Sequence, residues 1–345
     1  MATAPAVSSP FIRAVVNTMR KLYPESLADK SFDNTGLLLE APFNPQRRQK
    51  NSVLLTIDLT KAVADEAIER RDSIIIAYHP IIFRGLKSLT LQDPQQQSLL
   101  RLAQEGISVY SPHTAVDAVP GGMADWLCDI VTGAVVGQST SPEQQHEEKT
   151  PSRSYSNPKY PQLKGNNSRS ADVIPHTRST IHPSPAPVPE GFESAGMGRM
   201  VTFASPQPLA SLIDRIGRAA GNPAALSVAV PQSASVDSMH ITTIGVCPGS
   251  GASVLMKGPI LPDLLLTGEL SHHDALAAIE RGSAVIALFH SNTERGYLHD
   301  VLQPQLTDAL RAELRAQAET ADAEAFSVDV SQRDRDPYGI AMRQI

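Results

Sequence analysis

The stretch SIIIAYHPIIFRGLKSLT, residues 73–90, begins as a run of isoleucines and passes directly into Tyr78, His79 and Pro80. A short, continuous apolar run of this kind is typical of a strand that is buried on both faces of a parallel sheet. The strand therefore ends on an imidazole, and the proline restricts the backbone where the chain turns. Because ligands of open α/β sheets bind beyond the carboxyl ends of the strands, the position of His79 indicates a functional edge.

Strand patterns of this kind alternate with helical patterns along the chain. VLLTIDLT (53–60) and LPDLLLTGE (261–269) predict further strands, and DPQQQSLLRLAQEG (93–106) predicts a helix that ends at Gly106. Strands that alternate with helices of this length indicate layered α/β structure with largely parallel sheets. The sequence therefore predicts an α/β fold with two folded parts, which flank one segment of different composition.

That segment, residues 138–195, is rich in serine and proline and poor in aliphatic residues. It contains too little apolar surface to offset the entropy that ordering would cost. We therefore predict a first α/β lobe over residues 1–137, a disordered insertion over 138–195 and a second α/β lobe over 196–345. For the insertion, a tolerated spacer and a phosphorylated regulatory loop are the two alternatives.

Composition limits the classes of function. The chain has 345 residues, a formal net charge of −6 and no basic stripe, so we expect no direct binding to nucleic acid. No apolar run approaches the roughly 18 residues that a membrane-spanning helix needs, so we expect no membrane segment. Cys128 and Cys247 lie far apart, which fits a reducing compartment. We expect a cytoplasmic protein and leave a mitochondrial or nuclear fraction open, because residues 1–24 predict either a first helix or a weak transit peptide.

Side chains that can bind metal follow several of the predicted strands. They are His79, His113, Asp117, Glu269, His272, His273, His290 and Glu294. Histidine nitrogen and carboxylate oxygen suit divalent ions such as zinc, manganese or iron. Each residue alone has a simpler explanation: Ser291 and Glu294 fit a helix capping box, for example, and residues 113–117 fit a turn. The recurrence of the same chemistry at several strand ends nevertheless favours a metal site.

Six segments of the chain resemble the NGG-interacting factor 3-like family, part of which is described as type 2 GTP cyclohydrolase I. The segments are FDNTGLLLE (32–40), YHPIIFRGLKSLT (78–90), VYSPHTAVDAVPGGMADWL (109–127), LLLTGELSHHDAL (264–276), FHSNTERGYL (289–298) and DRDPYGI (334–340). The resemblance implies two linked α/β lobes with mixed, mostly parallel sheets flanked by helices. It also implies a metal cleft between the lobes, one or two divalent ions per chain and a homohexameric ring.

The resemblance also implies which residues bind the metal. Carried over position by position, the implied ligands are His79, Asp117, His290 and Glu294, with His113 as a further candidate at the border of the site. Many bacterial members have two adjacent histidines where this chain has Tyr78 and His79, so one neutral nitrogen ligand is replaced by a phenol. This departure puts occupancy of a dinuclear site in question. The tryptophan that is usual in the first motif is Phe32 here, and we expect this change to matter only for packing.

The function that these observations predict is a metal-dependent hydrolase acting on a nucleotide, as a GTP cyclohydrolase does, or on a phosphoester. Glu269, His272 and His273 are the candidates for proton transfer, on position alone. The alternative is a non-catalytic metal-binding protein that acts through a transcriptional coactivator or another protein partner, since the family name records such binding. The expected partners are therefore a small-molecule substrate, further copies of the chain and a transcription-related protein.

Overall fold

The computed structural model describes residues 7–44, 46–47, 49–134, 155–156, 173–221, 223, 225–317 and 325–341. Its strands are β1 (Gly36–Leu39), β2 (Ser52–Thr56), β3 (Ile74–Ala77), β4 (Ser108–Ser111), β5 (Tyr155–Ser156), β6 (His176–Pro183), β7 (Gly196–Pro208), β8 (Ser227–Ala229), β9 (His240–Ser250), β10 (Leu264–Glu269), β11 (Ala284–Ala287), β12 (Ser327–Val330) and β13 (Ile340–Ala341). Its α-helices are α1 (Pro10–Leu22), α2 (Lys61–Arg70), α3 (Pro94–Glu105), α4 (Thr114–Ala118), α5 (Met123–Thr132), α6 (Leu209–Ala219), α7 (Ala252–Leu255), α8 (His272–Glu280), α9 (Arg295–Tyr297) and α10 (Gln303–Gln317). Among the helices of these residues, none combines the length and the apolar character that crossing a bilayer requires.

The chain forms two compact units, and each unit is assembled from separate stretches of sequence. Unit 1 comprises Met1–Val119, Ala186–Glu193 and Tyr297–Arg335, and unit 2 comprises Pro120–Pro185, Ser194–Gly296 and Asp336–Ile345. The units therefore do not follow the predicted lobe boundaries at residues 137 and 196, because α5 belongs to unit 2 while α10 and β12 belong to unit 1. The strand β12 belongs to unit 1 because it pairs in parallel with β2 and completes the sheet of that unit.

The sheet of unit 1 has five strands in the order β1-β4-β3-β2-β12. The neighbours β4–β3, β3–β2 and β2–β12 are parallel, and β1 pairs antiparallel with β4. Buried residues of these strands, such as Leu54, Ile75 and Val109, belong to the same apolar cluster as Val63 of α2 and Leu102 of α3. Helices that cover the sheet explain why its inner strands β2, β3 and β4 are buried throughout.

The main sheet of unit 2 has six strands in the order β6-β7-β9-β10-β11-β8. Here β9, β10 and β11 are mutually parallel, while β6–β7, β7–β9 and β11–β8 are antiparallel. The prediction of mixed sheets flanked by helices is confirmed, although parallel pairing dominates only in unit 1. A further antiparallel pair joins β13 to β5.

Part of the predicted disordered insertion is ordered, which corrects that prediction for residues 173–195. The strand β6 pairs antiparallel with β7 along its length. Arg178 of β6 also forms ion pairs with Asp125 at 3.0 Å and Asp129 at 2.6 Å. Main-chain hydrogen bonds and ion pairs hold this edge strand in place, and they replace the burial of aliphatic side chains. Composition alone could not show that. Residues 138–154 and 157–172 of the predicted insertion lie outside the described residues.

Candidate metal centre

His79 is the second residue after β3 and lies at the strand end, as the sequence predicted. The backbone N–H groups of Tyr78 and His79 donate to the carbonyls of Thr56 at 2.9 Å and Ile57 at 3.0 Å, so parallel pairing with the end of β2 continues past the strand. Nδ1 of His79 lies 2.9 Å from Oδ1 of Asp58. Because a carboxylate can only accept, Nδ1 donates to it, and Nε2 is the nitrogen that could bind a metal ion.

His290 in unit 2 has the same support from a different carboxylate. Its Nδ1 lies 2.9 Å from Oε1 of Glu269, and its Nε2 lies 3.6 Å from Oε1 of Glu294. The side chain of Glu294 is 1% exposed, whereas that of Glu269 is 54% exposed. A buried carboxylate beside an imidazole nitrogen that bears a lone pair is a pair of donors that suits a divalent cation.

Gly249 keeps the space in front of these donor atoms open. Its φ is +59°, and a Cβ at this position would lie 2.9 Å from Nε2 of His290 and 3.0 Å from Oε1 of Glu294. Its N–H donates to Oγ1 of Thr293 at 2.9 Å, and its carbonyl accepts from the hydroxyl of Thr267 at 3.0 Å. The backbone is thus held close to the two donor atoms, and only glycine leaves room there for an ion.

Among the described residues, the His-His-Glu group that could hold a metal ion consists of His79, His290 and Glu294. Two imidazole nitrogens and one carboxylate oxygen are a donor set that fits zinc, manganese or iron. Three of the five predicted ligands belong to this group, and the other two, Asp117 and His113, do not.

Asp117 lies in α4 and is 6% exposed. The hydroxyl of Tyr78 lies 2.9 Å from each oxygen of its carboxylate and donates to it. The tyrosine that stands where many bacterial members have a histidine therefore orients this aspartate within unit 1. Metal binding by Asp117 stays a prediction.

His113 has an uncommon backbone conformation, with a φ of +33°. Its Nδ1 lies 2.6 Å from Oδ1 of Asp33, and Asp33 also accepts from the N–H and the hydroxyl of Thr114. Burial by itself would raise the pKa of Asp33, but the hydrogen bond and charge of His113 and the bonds from Thr114 outweigh it and lower the pKa below its ordinary 3.8. Asp33 is therefore an anion that orients a third imidazole, and the role of His113 as a ligand stays a prediction.

Phe32 does not lie in the core. It is 52% exposed, and its ring centroid lies 6.3 Å from that of Phe83 and 6.5 Å from that of His113. About half of its side chain faces solvent beside the histidine, and the expectation that this residue matters only for packing stays a prediction.

The predicted proton-transfer residues lie in unit 2. His272 and His273 open α8, both are exposed, and their rings stand 5.3 Å apart, edge to face. Glu269 contacts Nδ1 of His290, which makes it a positioning residue for that imidazole. Proton transfer by Glu269, His272 or His273 stays a prediction.

Sequence reasoning missed three residues of these arrangements, namely Asp58, Asp33 and Gly249. Asp58 is the second residue after β2, so the rule that located His79 at a strand end would also have found it. Asp33 lies in the FDNTG segment, and Gly249 lies near the end of β9 in the sequence CPGS. A glycine at a strand end was the available signal for a close approach of the backbone.

The chain is similar to known proteins in sequence and in fold. The sequence profile described as Duf34/NIF3 (NGG1p interacting factor 3) matches residues 11–325. The chain is 42% identical over 320 residues to "Protein NIF3 homolog" of Schizosaccharomyces pombe, with 92% of this chain and 94% of that protein covered. It is 33% identical over 341 residues to "NGG1-interacting factor 3" of Saccharomyces cerevisiae, with 97% and 99% covered. The solved structure of a Bacillus cereus protein related to NIF3 has the same fold, with a TM-score of 0.63, 18% identity and 98% and 99% of the two chains covered.

Proposed function

The chain belongs to the Duf34/NIF3 family, and from this premise we propose that it is a metal-dependent hydrolase that binds one divalent cation through His79, His290 and Glu294. The observation that carries the proposal is the matched support of the two histidines, since each Nδ1 lies 2.9 Å from a carboxylate oxygen. Metal-binding histidines ordinarily donate their second N–H to such a partner, which fixes the tautomer and the ring orientation.

In the proposed reaction, the residues of the chain bind the cation and orient what surrounds it. The cation supplies Lewis acidity to water or to a substrate oxygen. With a cation bound, Asp58 and Glu269 would hold the two imidazoles so that each Nε2 could bind it, and Glu294 would add a negative charge that balances part of the charge of the cation. Hydrolysis adds the oxygen of water to a carbon or phosphorus atom and returns a proton to the leaving group. Glu269, His272 and His273 are the candidates to carry that proton.

The substrate class that we propose is a nucleotide or another phosphoester. Both present oxygens that a divalent ion binds well, and part of the family that the six sequence segments resemble is described as type 2 GTP cyclohydrolase I. We propose a single ion because Tyr78, in place of a histidine, donates to Asp117. The Tyr78→His substitution tests this point, since it should raise the bound metal from about one to about two equivalents per chain.

Metal analysis of the purified protein tests the proposal. Wild type should carry about one equivalent of zinc, manganese or iron, and His290→Ala and Glu294→Gln should each lose most of it. The exposed His240 is a matched control in the same unit, so His240→Ala should keep the metal. Metal retained by both ligand variants would contradict the proposed group.

A hydrolysis screen over nucleotides and phosphoesters tests the reaction. Activity should disappear with a chelator and return when the metal is added back. Activity on no substrate class from metal-loaded protein would favour the alternative, a protein that acts by binding a partner, as the name of the Saccharomyces cerevisiae relative states for that protein. We also propose that the chain forms a hexamer, and light scattering on the same preparations tests this. We propose a cytoplasmic location, which tagged protein in cells tests.

A further inference from the structure

The short segment of residues 334–336 carries two aspartates, and the chain passes from unit 1 to unit 2 between Arg335 and Asp336. We propose that these aspartates are positioning residues for the two histidines of the metal group, Asp334 for His79 within unit 1 and Asp336 for His290 within unit 2. This inference rests on the proposed function, because it concerns the same cation. Neither aspartate belongs to the ligand group itself.

Asp334 acts through the two residues that follow β2. Its Oδ2 accepts from the backbone N–H of Ile57 at 2.7 Å and from that of Asp58 at 3.2 Å. Both of these residues contact His79: the carbonyl of Ile57 accepts from its N–H at 3.0 Å, and the carboxylate of Asp58 lies 2.9 Å from its Nδ1. Asp334 therefore holds the backbone from which His79 receives both of these contacts.

The segment around Asp334 is itself anchored to α2. Glu66 of that helix is 6% exposed and accepts from the hydroxyl of Ser331 at 2.5 Å and from the N–H of Gln332 at 3.0 Å. Oγ of Ser331 in turn accepts from the N–H of Asp334 at 3.2 Å. Asp334 is therefore a fixed support, because buried, charge-assisted hydrogen bonds hold the residues before it.

Asp336 acts through the residue that follows His290. It is 3% exposed, and its Oδ2 accepts from the N–H of Ser291 at 3.2 Å and from the hydroxyl of Ser291 at 2.5 Å. Oγ of the same serine accepts from Nε of Arg295 at 2.9 Å. On the other side of His290, Phe289 has a φ of +68°, a conformation that persists only where the surroundings hold it. The carboxylate of Asp336 holds the backbone of this turn in place and thereby orients the imidazole of His290.

Replacing either aspartate with asparagine changes the hydrogen bonding while it preserves the size of the side chain. The amide oxygen can still accept the bonds that Oδ2 of each aspartate accepts, but the NH₂ group cannot accept from the N–H of Tyr338, which donates to Oδ1 of Asp336 at 2.8 Å. The hydrogen bonds that remain also lose their charge assistance. We therefore expect each histidine to become less well oriented without a change in the ligands themselves.

Titration of the metal-free full-length protein with Zn²⁺ and Co²⁺ tests the inference. Asp334→Asn and Asp336→Asn should each weaken cation binding by about tenfold, the lower end of the range for partners of metal-binding histidines. The visible absorption bands of bound Co²⁺ should shift, because they report the geometry of the ligands. The exposed Asp308 of unit 1 and the exposed Asp237 of unit 2 supply matched controls, so Asp308→Asn and Asp237→Asn should leave both measurements unchanged.

The outcomes separate this inference from the proposed function. If wild type binds neither ion, or if His290→Ala binds the ions as tightly as wild type does, both the proposed function and this inference are overturned. Wild type that binds normally, with both aspartate variants unchanged in affinity and spectrum, would overturn the inference alone, even if the variants unfold at lower temperature. If Asp336→Asn does not fold, Ser291→Ala removes the hydroxyl that Asp336 binds and should give the same spectral shift.

Discussion

The two histidines of the metal group each donate a hydrogen bond from Nδ1 to a carboxylate, but their surroundings differ. His79 extends a parallel ladder and is 23% exposed, whereas His290 is 40% exposed and follows Phe289, whose φ is +68°. Beside His290, moreover, the backbone of Gly249 leaves no room for a Cβ. His79 is thus positioned from an extended strand end, whereas His290 is positioned from a turn with positive φ and beside a close approach of the backbone.

The largest loss of cation binding is expected from a substitution that fills the space beside His290. Gly249→Ala should weaken cation binding by about 100-fold, because its Cβ would need to lie 2.9 Å from Nε2 of His290, and overpacking of this kind costs up to about 3 kcal/mol. Isothermal titration with Zn²⁺ measures the effect.

The control for that substitution is another glycine of unit 2 with positive φ. Gly282 has a φ of +87°, and a Cβ there would meet nothing within 4 Å among the described residues, so Gly282→Ala introduces similar backbone strain without filling a site. It should lower stability and leave the affinity for Zn²⁺ unchanged. Equal affinity in the two alanine variants would show that crowding beside His290 does not matter.

A second prediction compares the carboxylates that support the two histidines. Asp58→Asn and Glu269→Gln should each weaken cation binding about tenfold. The loss should be larger for Asp58, because its side chain is 33% exposed and that of Glu269 is 54% exposed, so water can replace Glu269 more readily. Titrations of the two variants side by side measure which of them loses more cation affinity. A larger loss for Glu269→Gln would contradict the prediction.

A third prediction concerns the anion of unit 1 that orients His113. The pKa of Asp33 is lower in the folded state than its ordinary 3.8, so its contribution to stability is complete above that pH and is lost as the pH falls through the folded-state pKa. Asp33→Asn should lower the free energy of unfolding by about 1–3 kcal/mol at pH 7. In urea unfolding, the difference in free energy of unfolding between the variant and wild type should become smaller below about pH 4. A difference that stays constant with pH would contradict this prediction.

The smallest expected effect comes from the two thiols, both of which lie in unit 2. Burial is the main reason that the pKa of Cys128 rises to about 12, and Cys247 is 4% exposed, so both should react with a thiol reagent only when unit 2 opens. Mn²⁺ should slow the labelling of Cys247 several-fold, since a ligand that binds the native state suppresses opening. Labelling rates that Mn²⁺ does not change, in protein that binds it, would show that opening at Cys247 is independent of the ion.

Several local features could be predicted from the sequence because neighbouring residues decide them. The helix α3 begins after Asp93, whose side chain accepts from the N–H of Gln96, and ends at Gly106 with a φ of +77°. The isoleucine run before His79 likewise forms the buried strand β3. These assignments depend on capping, on backbone preference and on the periodicity of apolar residues, all of which act within a few positions.

The amino-acid sequence places histidines and carboxylates after apolar strands, and it therefore predicts that this chemistry lies at sheet edges. The tertiary structure, in contrast, pairs Asp58 with His79 and Glu269 with His290, in each case across 21 positions of sequence. It also decided that β12 completes the sheet of unit 1, with Val328 opposite Val53. Local preferences cannot specify such pairings, because the packing of whole sheets and helices sets which distant strands meet.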